Sequence, residues 1–192
     1  MTELRLPTDE ATIRELNVGD FVEITGVMFT GRDSAHSFLM EKEREKFKEL
    51  LEGRIIYHCG PVVKKVDGEW KFISAGPTTS IREEPFQADV FKRYGLRGAL
   101  GKGGMGKKTI AGCKEFGAVY LHAVGGAGAL AAASVKRVKN VYMLEEFGVP
   151  EAFWEIEVER FPAVVTIDSK GRSLHEKVRA DSEVIYKKLI GM

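Results

Sequence analysis

Apolar residues fall in short blocks along this chain, some alternating with polar positions and some recurring every three to four residues, and the blocks predict a mixed α and β fold. Asp20 to Val27 reads as a strand. Thr30-Gly31-Arg32-Asp33 then bends, and Asp33 or Ser34 caps a helix carrying Ala35, Phe38 and Leu39, which continues with a break through Phe47, Leu50 and Leu51. Gly53 stops it, and Arg54 to Cys59 is a β-branched and aromatic run suited to a buried strand. Val62 to Val66, Asp67-Gly68 and Trp70 to Ser74 form a two-residue hairpin with Trp70, Phe72 and Ser74 on one face. Phe86, Val90, Phe91 and Tyr94 follow helical spacing up to Gly95, and the short apolar run Leu96 to Leu100 is the next strand.

Beyond residue 106 the pattern predicts a helix, a strand over Ala118 to Val124, a small-residue helix over Ala127 to Val135 and a strand over Val141 to Leu144. Two more strands are expected at Trp154 to Val158 and Ala163 to Ile167. Ser173-x-x-Glu176 is a capping box that opens a last helix, with Leu174, Val178, Ile185 and Leu189 expected to face inward. Strands and helices alternate only in part, with antiparallel hairpins between them. The fold class expected is therefore a layered α/β domain, and no linker or internal repeat divides residues 1–192, which read as a single domain.

Composition removes several function classes. Lys and Arg total 29 against 28 Asp and Glu, so a net charge of +1 gives no electrostatic footprint for nucleic acid. The longest apolar run, Ala123 to Val135, is broken by glycine and too short to span a bilayer, and the acidic first twenty residues argue against a secretory signal. Two cysteines, Cys59 and Cys113, form no disulfide pattern, which suits a reducing cytoplasm, and they cannot alone complete a four-ligand metal site.

The chemistry concentrates at three bends. Gly101-Lys102-Gly103-Gly104-Met105-Gly106-Lys107-Lys108-Thr109 contains the spacing of a dinucleotide fingerprint and nearly that of a P-loop. Lys108 stands where a P-loop needs the hydroxyl that holds magnesium, and no acidic residue about twenty positions on ends a strand. What remains is a backbone that an anion can approach closely, with Lys102 to supply charge. Gly76-Pro77-Thr78-Thr79-Ser80-Ile81-Arg82 presents three hydroxyls and a planar guanidinium from a stiff turn, although hydroxyls before Glu83, Glu84 and Pro85 also suit a helix cap. The third bend, Thr30 to His36, adds Arg32. Arg32, Thr78, Thr79, Arg82 and Lys102 thus offer cations and hydroxyls suited to one small polyanion. A phosphate-anion or nucleotide-binding module built on the Gly101 loop is the alternative from another class.

Four segments carry a resemblance: Thr30 to His36, His58-Cys59-Gly60-Pro61-Val62-Val63, Ser74-Ala75-Gly76-Pro77-Thr78-Thr79-Ser80-x-Arg82, and Gly101-Lys102-Gly103-Gly104-Met105-Gly106. In this order and spacing the chain resembles the β subunit, or C-terminal domain, of class I iron–sulfur fumarases and L-tartrate dehydratases. The resemblance implies a swivelling β/β/α domain that closes over a 4Fe-4S cluster held by three cysteines of a separate alpha subunit, so Cys59 and Cys113 need not be ligands. It implies that Arg32, Arg82 and Lys102 bind the carboxylates of fumarate/malate or tartrate, that Thr78 is the candidate base, and that Thr79 is a neighbouring substrate-binding hydroxyl. His36 is a further candidate. It also implies a hetero-oligomer with two copies of each subunit, inactive as this chain alone.

Overall fold

The computed structural model describes residues 2–41 and 44–191. Nine strands are found among them: β1 Thr2–Leu6, β2 Phe21–Thr30, β3 Ile55–Tyr57, β4 Val62–Val66, β5 Glu69–Ser74, β6 Gly98–Gly101, β7 Val119–His122, β8 Val135–Tyr142 and β9 Phe153–Ile167. The helices are α1 Glu10–Glu15, α2 Asp33–Glu41, α3 Glu45–Leu51, α4 Gln87–Tyr94, α5 Lys107–Phe116, α6 Gly128–Ala133, α7 Leu144–Phe147 and α8 Leu174–Leu189, with a 3-10 turn at Ser80–Glu83. The expected helix is divided into α2 and α3, with Arg44 extended before α3, and residues 42 and 43 lie outside the described residues.

The main sheet runs β1-β2-β3-β6-β7-β9-β8, and a further pairing of β2 with β9 closes β2, β3, β6, β7 and β9 into a ring. Strands β2, β3, β6 and β7 run parallel, so Thr30, Tyr57, Gly101 and His122 all end at the same edge. β9 returns antiparallel against β2 and β7, which makes the sheet mixed. One apolar core, around Leu4, Ile24, Met28, Tyr57, Leu121, Trp154 and Val165, includes the hairpin's Trp70 and Phe72 packed against it. A second, around Phe29, Leu39, Ile56, Phe91, Tyr94 and Tyr120, seats the helical layer of α2 to α5. This is the layered α/β arrangement with mixed sheet and hairpin expected from the sequence.

Several elements differ in extent. Thr2–Leu6 is a strand parallel to β2, and Asp9 caps α1 through Thr12 N at 2.8 Å; neither was expected, because β1 shows only two apolar positions between charged ones. The two strands expected around residues 154–158 and 163–167 are one fifteen-residue strand. Arg160 absorbs the irregularity with φ of 52°, its N–H reaches Thr25 Oγ1 at 3.2 Å, and its guanidinium grips Glu23 at 3.0 Å. β8 begins at Val135 rather than Val141. It is an edge strand whose Lys136, Arg137 and Lys139 pair across to Glu159, Glu157 and Glu155, so its charges stabilise pairing that apolar alternation does not announce.

The last helix corrects another expectation. Ser173 does cap it, accepting from Glu176 N at 3.3 Å, and Leu174 is partly buried, but Val178, Ile185 and Leu189 are exposed rather than inward. No residue of α8 is buried, and Leu189 is 80% exposed. The first turn rests on the body through His175, whose ring lies against Gly104 and 5.8 Å from that of His122, and the apolar side chains of the later turns are exposed.

Trp154 joins the hairpin to the ring. Fully buried, it meets Trp70 edge-on with centroids 5.2 Å apart and Phe72 at 5.8 Å, and its Nε1 donates to Val149 O at 2.9 Å. Trp154→Ala is expected to lower unfolding free energy by about 3–5 kcal/mol in urea titrations, the range for deleting a buried aromatic. A loss below about 1 kcal/mol would show that the hairpin does not depend on this contact.

Candidate functional site

The common edge of the parallel strands is where α/β sheets leave room for ligands. Here a strap from the hairpin enters it. After β5 the chain runs back through Gly76 and Pro77, Cys59 bridges to Pro77, and Thr79 bridges in parallel to Lys102. Thr78 N donates to His58 O at 2.7 Å, Lys102 N donates to Thr78 O at 3.2 Å, and Ser80 N donates to Lys102 O at 3.1 Å. Residues 77–80 therefore lie between the continuations of β3 and β6, bonded to both. The Ser80 side chain packs so closely on the β6 terminus that a Cβ on Gly101 would stand 1.8 Å from its Oγ, and glycine is required there.

This wedge brings the sequence-selected residues into one neighbourhood. Thr78 and Thr79 sit on the strap, Thr79 exposed, with Lys102 beside them at the β6 end. Lys102 has no carboxylate partner among the described residues. Arg32, at the β2 end, lies across Gly60, where a Cβ would meet its Nη1 at 2.6 Å. Its Nε stands 3.3 Å from Glu151 Oε1, and Glu151 Oε2 accepts from Ser34 N at 3.0 Å, so one carboxylate both holds the guanidinium and opens α2. Arg82, half exposed on the 3-10 turn, is paired with Asp33 at the start of α2. Both guanidinium groups are thus held by carboxylates of their own chain, with further N–H groups left over on each fork.

His36 is placed differently. It is fully buried beneath Arg32, with Nδ1 2.9 Å from Arg32 O and Nε2 3.1 Å from Gln87 Oε1. Gln87 Oε1 also lies 2.9 Å from His58 Nε2, and His58 Nδ1 lies 2.9 Å from Ser80 Oγ. The two imidazoles meet edge-to-face at 5.1 Å. Burial lowers the pKa of both, His58 to about 3 with the neighbouring His36 adding to the shift, so both rings are neutral at pH 7. Beside them the Glu83 carboxylate is fully buried, 3.4 Å from His36 Nδ1, with no hydrogen-bond donor among the described residues. Burial pushes its pKa up to about 7 against the pull of Arg82; Glu151 pushes the same way as burial and Arg32 opposes.

Sequence reasoning assigned no role to His58, Gln87, Glu83 or Glu151. His58 stood in a quoted motif, and Gln87 follows Ser80 by seven residues, but nothing in the chain order signals that β3, α2 and α4 bring them together.

The glycine loop ends differently from a nucleotide cradle. The N-terminus of α5 is filled from within: Glu84 accepts from Gly106 N at 2.7 Å, Lys108 N at 2.9 Å and Thr109 N at 3.3 Å, and from the Thr109 hydroxyl at 2.6 Å. A phosphate would have to displace a carboxylate that already satisfies the orphan amides. Lys107 and Lys108 are exposed.

The cysteines do not suit a metal. Cys59 belongs to the ring core and Cys113 to the helical layer; both are free and fully buried, and burial pushes the Cys59 thiol up to about 12 and Cys113 higher still. Thiolate ligation needs the opposite shift. Among the described residues no three His, Cys, Asp or Glu side chains are grouped to hold a metal ion, and no helix is long and apolar enough to cross a membrane.

Comparison with known proteins gives the family. The family model described as "Fumarase C-terminus" matches residues 2–178. The chain is 51% identical over 180 residues to a Geobacillus stearothermophilus protein with the provisional name fumarate hydratase class I, covering 93% of this chain but 34% of that protein. It is 44% identical over 180 residues to a Methanocaldococcus jannaschii protein provisionally named L(+)-tartrate dehydratase subunit beta, covering 92% and 91%. It is 37% identical over 172 residues to L(+)-tartrate dehydratase subunit beta of Escherichia coli K12, covering 89% and 85%. The chain therefore spans about a third of the first relative and most of each of the other two.

Glu83 makes stability depend on pH with a definite sign. Its folded pKa, about 7, exceeds the ordinary value of 4.5, so its contribution is fully present below 4.5 and is lost as pH rises through 7. Glu83→Gln should gain stability over the parent at pH 8 and gain none at pH 4.5 in urea unfolding. A gain that is equal at both values would contradict a buried proton at this position.

Proposed function

The chain belongs to the fumarase C-terminus family, and from that premise we propose that it is the beta subunit of an iron–sulfur hydro-lyase that hydrates fumarate reversibly to L-malate. The observation that carries this is the strap, which holds Thr78 and Thr79 beside Lys102, with Arg32 at the β2 end and Arg82 on the 3-10 turn that follows the strap. The subunit-beta relatives support an alpha-subunit partner for this domain, and we infer an assembly with two copies of each. The two buried, unpaired cysteines suit the cytoplasm.

The proposed roles follow from charge and geometry. Arg32, Arg82 and Lys102 bind the two carboxylates of the substrate and fix the carbon skeleton, which converts collision into a positioned reaction. Glu151 and Asp33 orient the two guanidinium forks, leaving N–H groups that can take a carboxylate edge. Thr79 supplies a hydroxyl to the bound dicarboxylate. Thr78 Oγ1 removes the proton from the carbon next to the hydroxyl-bearing one in the dehydrating direction and returns it in the other. An alkoxide there requires cations close by and little water, conditions that Arg82 and Lys102 supply once the site is closed by the partner. This chain's residues do not fit the 4Fe-4S cluster, which in this reading would be held by the alpha subunit and would supply Lewis acidity.

A second reading, L-tartrate dehydratase beta subunit, is favoured by the 44% and 37% identities to relatives so named. Both substrates present two carboxylates to the same three cations.

The test is anaerobic reconstitution with the cluster-bearing partner, measured with fumarate and with L-tartrate. This chain alone is expected to be inactive. In the complex, Thr78→Ala should lower kcat about 100-fold or more, in the range for loss of a proton-transferring group, and Arg32→Ala or Lys102→Ala should raise KM. Turnover by this chain alone, or full activity of Thr78→Ala, would overturn the assignment.

A further inference from the structure

The buried polar chain beneath the strap has a direction that donor and acceptor bookkeeping can fix. Arg32 O can only accept, so the Nδ1 of His36, 2.9 Å away, must carry the hydrogen. A neutral His36 then presents a lone pair at Nε2, and the Gln87 atom facing it must be a donor. With Oε1 toward the rings, two acceptors face each other at 3.1 Å and Nε2 of Gln87, which is buried, has no partner. Turning the amide over removes both faults. One hydrogen of the Gln87 NH2 group goes to His36 Nε2 and the other to His58 Nε2, 2.9 Å away. The oxygen takes the unpartnered place, where a carbonyl is tolerated better than an N–H.

The other arm follows without choice. His58, accepting at Nε2, carries its hydrogen on Nδ1 and donates to Ser80 Oγ at 2.9 Å. Ser80 N in turn donates to Lys102 O at 3.1 Å, and Tyr120 Oη nearby donates to Gly103 O at 3.1 Å. Each imidazole accepts from Gln87 on one side and donates on the other. The chain starts at a single source, the Gln87 amide, and runs on one side to the Arg32 carbonyl and on the other to Ser80, whose N–H donates to Lys102 O.

We infer that Gln87 is a positioning residue that sets the spacing between Arg32 and the Lys102 loop, by donating to His36 and His58 and so fixing both as the Nδ1–H tautomer. The alternative state is a cationic His36 donating from both nitrogens, paired with ionised Glu83 at 3.4 Å. Burial opposes it on both partners, lowering the His36 pKa and raising that of Glu83 to about 7.

Imidazole nitrogen spectra test the tautomers directly on the full-length wild-type chain. Long-range 1H–15N correlations at pH 7.5 are expected to show hydrogen on Nδ1 and none on Nε2 for both His36 and His58. A hydrogen on either Nε2, or a doubly protonated His36, overturns the inference. Its consequence for the clamp rests on the function proposed above and is read in the reconstituted complex. Gln87→Leu removes the source, and Gln87→Glu, which when ionised can only accept, reverses the His58 arm and takes the donor away from His36. Each should raise KM for the dicarboxylate about tenfold while kcat falls less. Gln87→Glu should also move the His58 hydrogen to Nε2. An unchanged KM in both variants counts against the positioning role. A wild-type complex without hydro-lyase turnover would sink the functional reading instead, and the tautomers would still be decided by the spectrum.

Discussion

The arrangement depends on one constraint: a strap of four residues hydrogen-bonded along both edges, to His58 on one side and Lys102 on the other. β3 and β6 pair only as far as Tyr57 and Leu100, and the strap occupies the space as their continuations separate. Two consequences follow. The backbone polar groups of the loops beyond the strands find partners without water, which permits loops to run close to the core. The hydroxyls of Thr78 and Thr79 also receive a fixed place relative to a lysine twenty-odd positions away in sequence. The small residues at the wedge follow from the same closeness. Gly101 leaves room for the Ser80 side chain, and Gly60 leaves room for the Arg32 side chain.

Beneath the strap the chain holds several polar groups out of water, and each is neutral, bonded or paired. His36, His58, Gln87 and Ser80 are hydrogen-bonded in sequence, and burial raises the Glu83 pKa to about 7, so that below this pH the carboxyl avoids the larger cost of a buried charge. The same economy operates at α5, where Glu84 takes the anion place of the helix N-terminus. A glycine loop before a helix is therefore compatible with two chemistries, and the occupant of the helix end distinguishes them. Here the cationic character that remains belongs to Lys102, Arg32 and Arg82, which suits a small dicarboxylate better than a nucleotide.

Much of this was legible in the chain. The Asp67-Gly68 hairpin, the stop at Gly95 with its φ of 62°, and the three bends holding Arg32, Thr78 and Lys102 all carry local signals of turn chemistry and periodicity. What escaped depends on partners. β8 is a strand because glutamates of β9 face its lysines and arginine, and β9 is continuous because β2 is long enough to pair with both halves. The stripe on α8 has helical spacing, as expected, but spacing cannot say whether anything covers it. The roles of His58, Gln87 and Glu83 were invisible for a similar reason, since a buried hydrogen-bond chain is assembled from three elements with no fixed spacing between them.

The central claim is that this chain clamps the dicarboxylate with its own cations while a partner carries the cluster. The most direct measurement is an anaerobic crystal structure of the assembled complex with malate bound. The account predicts the substrate carboxylates within hydrogen-bond distance of Arg32, Arg82 and Lys102, with Thr78 Oγ1 facing the carbon that exchanges its proton. Malate held by the partner's residues alone, with Thr78 turned away from it, would contradict the account.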